Sequence, residues 1–146
     1  DDEERVLLIQ QYRHPIRHRD WELPAGLLDV PGEDPAAAAR RELAEEADLV
    51  AARWEPLVSS WTTPGGNDEL IQVFLATGIG TAESAHARED EEADIRLEWV
   101  PLADAVIAGT AAAHELVNVT RNTKHFLPFG IAVLSPGEAA AQGGPT

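Results

Sequence analysis

The chain has 146 residues, a formal net charge of −15 at pH 7, and neither cysteine nor methionine. This length supports one domain with a sizeable core. The lack of cysteine excludes disulfides and thiolate zinc sites, and the negative charge argues against nucleic acids and anionic membranes as main partners. No apolar run reaches the length of a membrane span and no signal peptide is visible, so we expect a cytoplasmic protein.

The first predicted elements are a strand and a helix. The strand covers residues 6–12 and is expected to lie already inside the fold. The helix begins after Asp34, a favourable N-cap, with Pro35 at the first helical position, where its missing N–H costs nothing. The four alanines that follow are strong helix formers.

The remaining elements alternate between strands and helices. Alternating or apolar runs bounded by turn residues predict strands at 54–61, 70–77 and 95–100, the first two joined by the turn-rich segment 62–68. Helices are predicted at 102–108, 111–119 and 126–134, although Pro128 and Gly130 weaken the last. One domain therefore spans residues 1–134, and the Gly-, Pro- and Ala-rich tail 135–146 is expected to be disordered.

Three carboxylates lie on one face of the first helix. Glu42, Glu45 and Glu46 are three and four positions apart, within an arc of about 100°. Such groups repel one another unless a cation lies among them, and hard oxygen ligands suit Mg²⁺ or Mn²⁺. The pattern thus indicates a metal-dependent enzyme acting on a phosphate compound. The alternative is an acidic helix face that simply contacts water.

Residues 26–49, GLLDVPGEDPAAAARRELAEEADL, resemble the signature box of the Nudix hydrolases, which cleave nucleoside diphosphates linked to another group. Gly26 opens the box, Glu33 is its first glutamate, and Arg41 follows after the expected seven residues. There are two departures: six residues instead of five separate Gly26 from Glu33, and Asp48 replaces a glycine. The resemblance implies an α/β Nudix fold, an α/β/α sandwich with a mixed central sheet, and a homodimer. The N-terminal sheet region of many relatives is absent from this sequence.

Two further segments resemble the ADP-ribose pyrophosphatase branch of that family. The run from Trp21 to Gly26, WELPAG, is typical of it, and so is a proline sixteen positions after Asp48, which here is Pro64 in TPGGNDE. Taken alone, Pro64 would be read as part of a hairpin turn. The resemblance implies hydrolysis of ADP-ribose, or of a close nucleoside diphosphate sugar, to AMP and ribose 5-phosphate. The alternatives are another nucleotide substrate, a non-catalytic nucleotide-binding module, and a surface used only for protein interaction.

The resemblance also implies roles for individual residues. Glu42 and Glu46 are expected metal ligands, with Glu45 at a second ion and the Ala25 carbonyl as a further ligand. Arg41 is expected to pair with a box glutamate and orient it. The metal is expected to be Mg²⁺, with Mn²⁺ as the other candidate.

The resemblance implies a general base on the acidic loop before the strand at 95–100, which makes Glu91 or Glu92 the candidates, and the two are not separable by sequence. A solvated acidic loop is the competing interpretation. Arg13 resembles the arginine that reaches phosphate in this branch, in keeping with the pairing of guanidinium groups with phosphate oxygens, and Arg17 and Arg19 are weaker candidates.

Three other residues complete the predicted substrate site. Trp21 is expected either to stack on adenine or to pack in the core, because aromatic side chains do both. Glu22 is a candidate to hydrogen-bond the base or the ribose, and Pro64 is expected to lie against the substrate.

Overall fold

The computed structural model describes residues 1, 3–83, 94–113, 118–119, 123–126, 129 and 132–142. Its elements, in chain order, are β1 (Arg5–Arg13), β2 (His18–Glu22), α1 (Pro35–Ala47), β3 (Leu49–Trp61), β4 (Leu70–Thr81), β5 (Arg96–Pro101), α2 (Leu102–Ala113), β6 (Asn118–Val119), α3 (Thr123–Phe126), β7 (Val133–Leu134) and α4 (Pro136–Gln142). No helix in the described ranges is long and apolar enough to cross a membrane.

The strands form three sheets within these ranges. β1 lies between β2 and β5 and pairs antiparallel with both, so that Ile9 is opposite Glu22 on one side and Leu97 on the other. β3 and β4 form a long antiparallel hairpin, with a bulge between Pro56 and Val58, where proline has no N–H for the ladder. β6 and β7 form a short parallel pair. The α/β class is as predicted, but the expected single mixed sheet is divided.

The packing of α1 determines where the site lies. Its buried Leu43 and Ala47 contact Leu7 of β1, and Trp54 and Trp99 cover the edge of this cluster. Side chains alternate across a strand, so β1 turns Leu7, and next Ile9, towards the interior. The helix is therefore held against β1 at its C-terminal half, the half that carries the box glutamates.

Both ends of α1 have the predicted signals. The Asp34 side chain accepts hydrogen bonds from the N–H groups of Ala36 and Ala37, at 3.1 and 3.3 Å, which confirms the N-cap. Asp48 adopts a left-handed conformation, with φ 55° and ψ 34°, and its N–H reaches the carbonyl of Ala44 at 3.0 Å. Asp48 thus performs the turn that glycine performs most easily.

Several predicted boundaries change. β3 begins at Leu49 and β4 extends to Thr81, because the hairpin pairs along its full length beyond the apolar runs that predicted it. Of the helix predicted at 111–119, residues 111–113 are helical as the end of α2, residues 118–119 form β6, and residues 114–117 lie outside the described residues. Of the helix predicted at 126–134, Phe126 belongs to α3 and Val133–Leu134 to β7, while residues 127, 128, 130 and 131 lie outside the described residues.

The tail contains a helix, which corrects the expectation of disorder for residues 136–142. Ser135 caps it: the N–H of Glu138 donates to the Ser135 hydroxyl at 3.3 Å, and the Glu138 carboxylate accepts from the Ser135 N–H at 2.8 Å. This reciprocal capping box stabilises the first turn of α4. The Ser135 hydroxyl, and then its backbone N–H, hold the pKa of Glu138 below its usual value.

We predict that Asp48→Gly stabilises the protein slightly and that Asp48→Ala destabilises it. A left-handed residue with a Cβ carries a steric cost that aspartate tolerates better than alanine does and that glycine avoids. The larger conformational freedom of glycine in the unfolded chain offsets part of the gain. We therefore expect the free energy of unfolding to rise by about 0.5 kcal/mol for the glycine variant and to fall by about 1 kcal/mol for the alanine variant. Urea unfolding of the three proteins measures this, and a glycine variant less stable than the parent would contradict it.

Candidate active site

A tight turn shapes the loop that leads into α1. The N–H of Glu33 donates to the carbonyl of Val30 at 3.1 Å, with Pro31 and Gly32 as the central residues and a φ of +80° at Gly32. Proline followed by a glycine with positive φ is the pattern of a type II turn. This turn accommodates the additional residue between Gly26 and Glu33 and returns Glu33 to the start of the helix.

The other end of the loop lies directly against α1. A Cβ added to Gly26 would lie 1.9 Å from Cδ of Glu42, so only glycine lets the backbone pass this close to the carboxylate. One residue earlier, the N–H of Ala25 donates to Oε2 of Glu46 at 3.0 Å. Glu46 is only 3% exposed. Its hydrogen bond with Ala25 connects the loop to α1.

Arg41 binds the remaining glutamates of the box. Its Nη1 donates to Glu42 at 2.8 Å and to Glu45 at 2.9 Å, while Nη2 and Nε donate to Glu33 at 3.1 and 3.3 Å. Asp29 lies 3.7 Å from the same guanidinium. The hydrogen bond to Glu33 is the largest cause that raises the pKa of Arg41 above its usual range, and desolvation opposes it. One cation therefore screens four carboxylates from one another.

A pocket of about 240 Å³ opens between β1, the loop and α1. It is lined by Gln11 and Arg13 of β1, by Ala25, Gly26, Leu27 and Asp29 of the loop, and by Glu42 and Glu46 of the helix. Four residues predicted for the site thus meet in one place, namely Arg13, Ala25, Glu42 and Glu46. The sequence analysis did not predict Gln11 or Asp29.

Arg13 enters this pocket in a fixed position. Its Nε and Nη2 donate to the two carboxylate oxygens of Glu22 at 2.8 and 2.5 Å, across the β1–β2 pair. This parallel geometry restrains the guanidinium plane. Glu22, predicted to contact the substrate, lies behind Arg13 as its partner and does not line the pocket.

The other predicted residues lie elsewhere. Glu45 is turned to Arg41, and neither it nor Arg41 lines the pocket. Arg19 is paired with the exposed Asp94 at 3.1 Å, Trp21 is half-buried, and Pro64 lies in the exposed turn closed by Gly66 and Thr63. These three do not line the pocket either.

The candidate bases lie outside the described residues. The structure describes the chain up to residue 83 and again from residue 94, and both Glu91 and Glu92 fall between. Their role stays a prediction.

The oxygen-rich lining suits a hard divalent cation, with one qualification. Glu42, Glu46 and Ala25 all line the pocket, and Mg²⁺ and Mn²⁺ prefer carboxylate and carbonyl oxygens as ligands. Within the described ranges, however, no three acidic or histidine side chains form a ready metal cluster. Arg41 holds Glu45 and one oxygen of Glu42 in hydrogen bonds.

We predict that Gly26→Ala preserves the fold but weakens Mg²⁺ binding. The three atoms nearest to the added Cβ all belong to the flexible Glu42 side chain, which can rotate away from the pocket, so the loss of stability should be about 1 kcal/mol. Removing Glu42 from its position should weaken Mg²⁺ binding by about tenfold or more.

Isothermal titration with MgCl₂ measures the effect. Gly65→Ala is the matched control, because its added Cβ meets no atom within 4 Å. Equal Mg²⁺ affinity in the Gly26 variant and the control would remove Glu42 from the cation site.

Comparisons with known proteins identify the family and the fold. The NUDIX domain model matches residues 1–122. The chain is 46% identical over 121 residues to the ADP-ribose pyrophosphatase of Mycobacterium tuberculosis (strain ATCC 25618 / H37Rv), a match that covers 81% of this chain and 56% of that protein. It is also 37% identical over 91 residues to the methanol dehydrogenase activator of Bacillus methanolicus, covering 62% of this chain and 49% of that protein.

A solved structure shows the same fold. The crystal structure of an ADP compounds hydrolase superposes with a TM-score of 0.65 at 20% identity, covering 87% of this chain and 63% of the other. The chain spans about half the length of the two relatives named above. The family and the fold expected from the signature box are thereby confirmed: this chain belongs to the Nudix family.

Proposed function

We propose that the protein hydrolyses the diphosphate bond of ADP-ribose, in a reaction that depends on a divalent metal ion, and releases AMP and ribose 5-phosphate. The observation that carries the proposal is the pocket in which Glu42 and Glu46 of the box face Arg13 of β1. A relative of 46% identity bears the name ADP-ribose pyrophosphatase, which supports the choice of substrate. A diphosphate requires both features, since its charge needs cations and its oxygens need N–H donors.

In this proposal Glu42, Glu46 and the Ala25 carbonyl hold Mg²⁺ or Mn²⁺. Such an ion neutralises phosphate charge and makes a bound water more acidic. Glu45 would support a second ion only after leaving Arg41, to which it is bound at 2.9 Å. Arg41 is thus a positioning residue that orients Glu42.

Substrate binding would rest mainly on Arg13. Glu22 holds the guanidinium in place at the pocket, where Arg13 would donate to phosphate oxygens of the substrate. Trp21, Arg19 and Pro64 do not line the pocket, so we propose for them only contacts with the adenosine part of the substrate beyond it. The general base is proposed to be Glu91 or Glu92.

A homodimer is part of the proposal. The β3–β4 hairpin exposes large apolar side chains, including Leu57, Val58 and Trp61. Such clustered apolar groups are commonly covered by a partner, and a symmetric pair of hairpins would cover them here.

Another nucleotide substrate is the competing function. One relative, 37% identical to this chain, is named methanol dehydrogenase activator, so the name ADP-ribose pyrophosphatase is not shared by all relatives. A panel of ADP-ribose, ADP-glucose, NADH and diadenosine polyphosphates distinguishes these cases, and binding without turnover of any of them would indicate a non-catalytic module.

The direct test is ADP-ribose hydrolysis with Mg²⁺ and with EDTA, following AMP by chromatography. We expect AMP and ribose 5-phosphate with Mg²⁺ and none with EDTA. If the wild-type protein binds ADP-ribose and Mg²⁺ without releasing AMP, the proposed hydrolysis is wrong.

We further predict that Glu46→Gln folds normally but loses activity. The glutamine amide oxygen can still accept the Ala25 N–H, whereas the negative charge that holds the cation is gone. Turnover should fall by about two orders of magnitude or more, since the metal contribution amounts to several kcal/mol. Glu55→Gln, on the exposed hairpin, is the control and should retain wild-type turnover. Near-normal turnover in the Glu46 variant would remove this residue from the metal site.

A further inference from the structure

Gln11 is a buried polar residue of β1 that lines the pocket. Its exposed fraction is 5%, and among the described residues its side-chain amide makes no hydrogen bond. A buried amide that has left water without gaining a protein partner is unfavourable, and such groups in native proteins call for an explanation. The natural explanation is a ligand that supplies the missing hydrogen bonds.

The position of Gln11 on β1 directs it to the pocket. It lies on the same face of the strand as Leu7 and Ile9, which are buried, and as Arg13, which lines the pocket. Side chains two apart on a strand point to the same face. The apolar interior therefore changes at Gln11 into a polar wall, opposite the carboxylates of Glu42 and Glu46.

The lining of the pocket contains few side-chain donors. Asp29, Glu42 and Glu46 offer carboxylate oxygens, which accept hydrogen bonds or bind cations. Among the side chains that line the pocket, only Arg13 and Gln11 carry N–H groups, and Arg13 already directs Nε and Nη2 to Glu22. Phosphate oxygens need donors, and the amide of Gln11 is a donor that no described residue of the protein engages.

We propose that Gln11 is a substrate-binding residue whose Nε2–H donates to a non-bridging oxygen of the diphosphate. This proposal rests on the proposed function, because it takes a nucleoside diphosphate sugar as the ligand. A neutral amide suits this place: a lysine or arginine here would pair with Glu42 or Glu46 and compete with the cation, whereas glutamine donates to phosphate without displacing it.

The test compares Gln11→Leu with the wild-type protein. Binding of the non-hydrolysable analogue α,β-methylene ADP-ribose with Mg²⁺ is measured by isothermal titration, and Tm is measured without ligand. We expect the affinity to fall about 10- to 100-fold, as for loss of a hydrogen bond to a charged group. The Tm of the free variant should be equal or higher, because an unpaired buried amide has been removed.

Three variants sharpen the test. Gln10→Leu makes the same change on the opposite face of β1 and should leave the affinity unchanged. Gln11→Glu keeps the shape but places a negative charge before the phosphate, and should bind more weakly than Gln11→Leu. Gln11→Met repeats the apolar change with a flexible side chain, in case leucine does not fit.

The outcomes separate this inference from the proposed function. If the wild-type protein does not bind the analogue, both are overturned. If the wild type binds and Gln11→Leu and Gln11→Met bind equally well, only the contact by Gln11 is overturned. A clear fall in Tm of both free variants would show that the amide is paired inside the protein. If Mg²⁺ alone raises the Tm of the wild-type protein but not that of Gln11→Leu and Gln11→Met, Gln11 belongs to the metal site. Either result would overturn the phosphate contact.

Discussion

The bond from the Ala25 N–H to the Glu46 carboxylate is the constraint on which the pocket depends. It joins the loop after β2 to the buried side of α1 at 3.0 Å. Because Glu46 is 3% exposed, its carboxylate has little water and relies on fixed protein groups. The next residue, Gly26, then passes so close to Glu42 that a Cβ has no room. The loop, α1 and β1 thus line one pocket. The loop and α1 contribute the carboxylates of Asp29, Glu42 and Glu46, and β1 contributes Gln11 and Arg13, whose side chains carry N–H groups.

Arg41 governs the charge balance of the same region. A net charge of −15 makes binding of an anionic substrate unfavourable unless cations are placed locally. Arg41 supplies one beside Glu33, Glu42 and Glu45, and Arg13 supplies another inside the pocket. The two arginines lie in different surroundings: Arg41 holds carboxylates of the box, whereas Arg13, restrained by Glu22, lines the pocket.

Local signals predicted α1 well. Asp34, Pro35 and the alanine run specify the start of the helix through neighbouring atoms alone, and the structure follows them. The boundaries of the β3–β4 hairpin were predicted less well, because strand pairing between distant residues extends the strands beyond their apolar runs. The helix in the tail was missed although Ser135 and Glu138 have capping-box spacing, since composition was given more weight than this short pattern.

Only part of the candidate site was predicted, because contacts between side chains do not follow from spacing along the sequence. Helical spacing placed Glu42, Glu45 and Glu46 on one face but could not show that Arg41 turns Glu45 away from the pocket. Gln11 was overlooked because a polar residue in a strand is easily taken to face solvent. Residues 6–9 are all apolar and Leu8 is buried as well as Leu7 and Ile9, so the sequence does not distinguish the buried Gln11 from the half-buried Gln10.

The central claim is that the pocket between β1 and α1 holds the divalent ion at Glu42, Glu46 and the Ala25 carbonyl. Crystals of the protein soaked in MnCl₂ test it directly, because anomalous scattering locates Mn²⁺ without reference to activity. We expect a peak within coordination distance of the Glu46 carboxylate and the Ala25 carbonyl oxygen. A peak confined to other carboxylates, with no Mn²⁺ at Glu46, would contradict the claim.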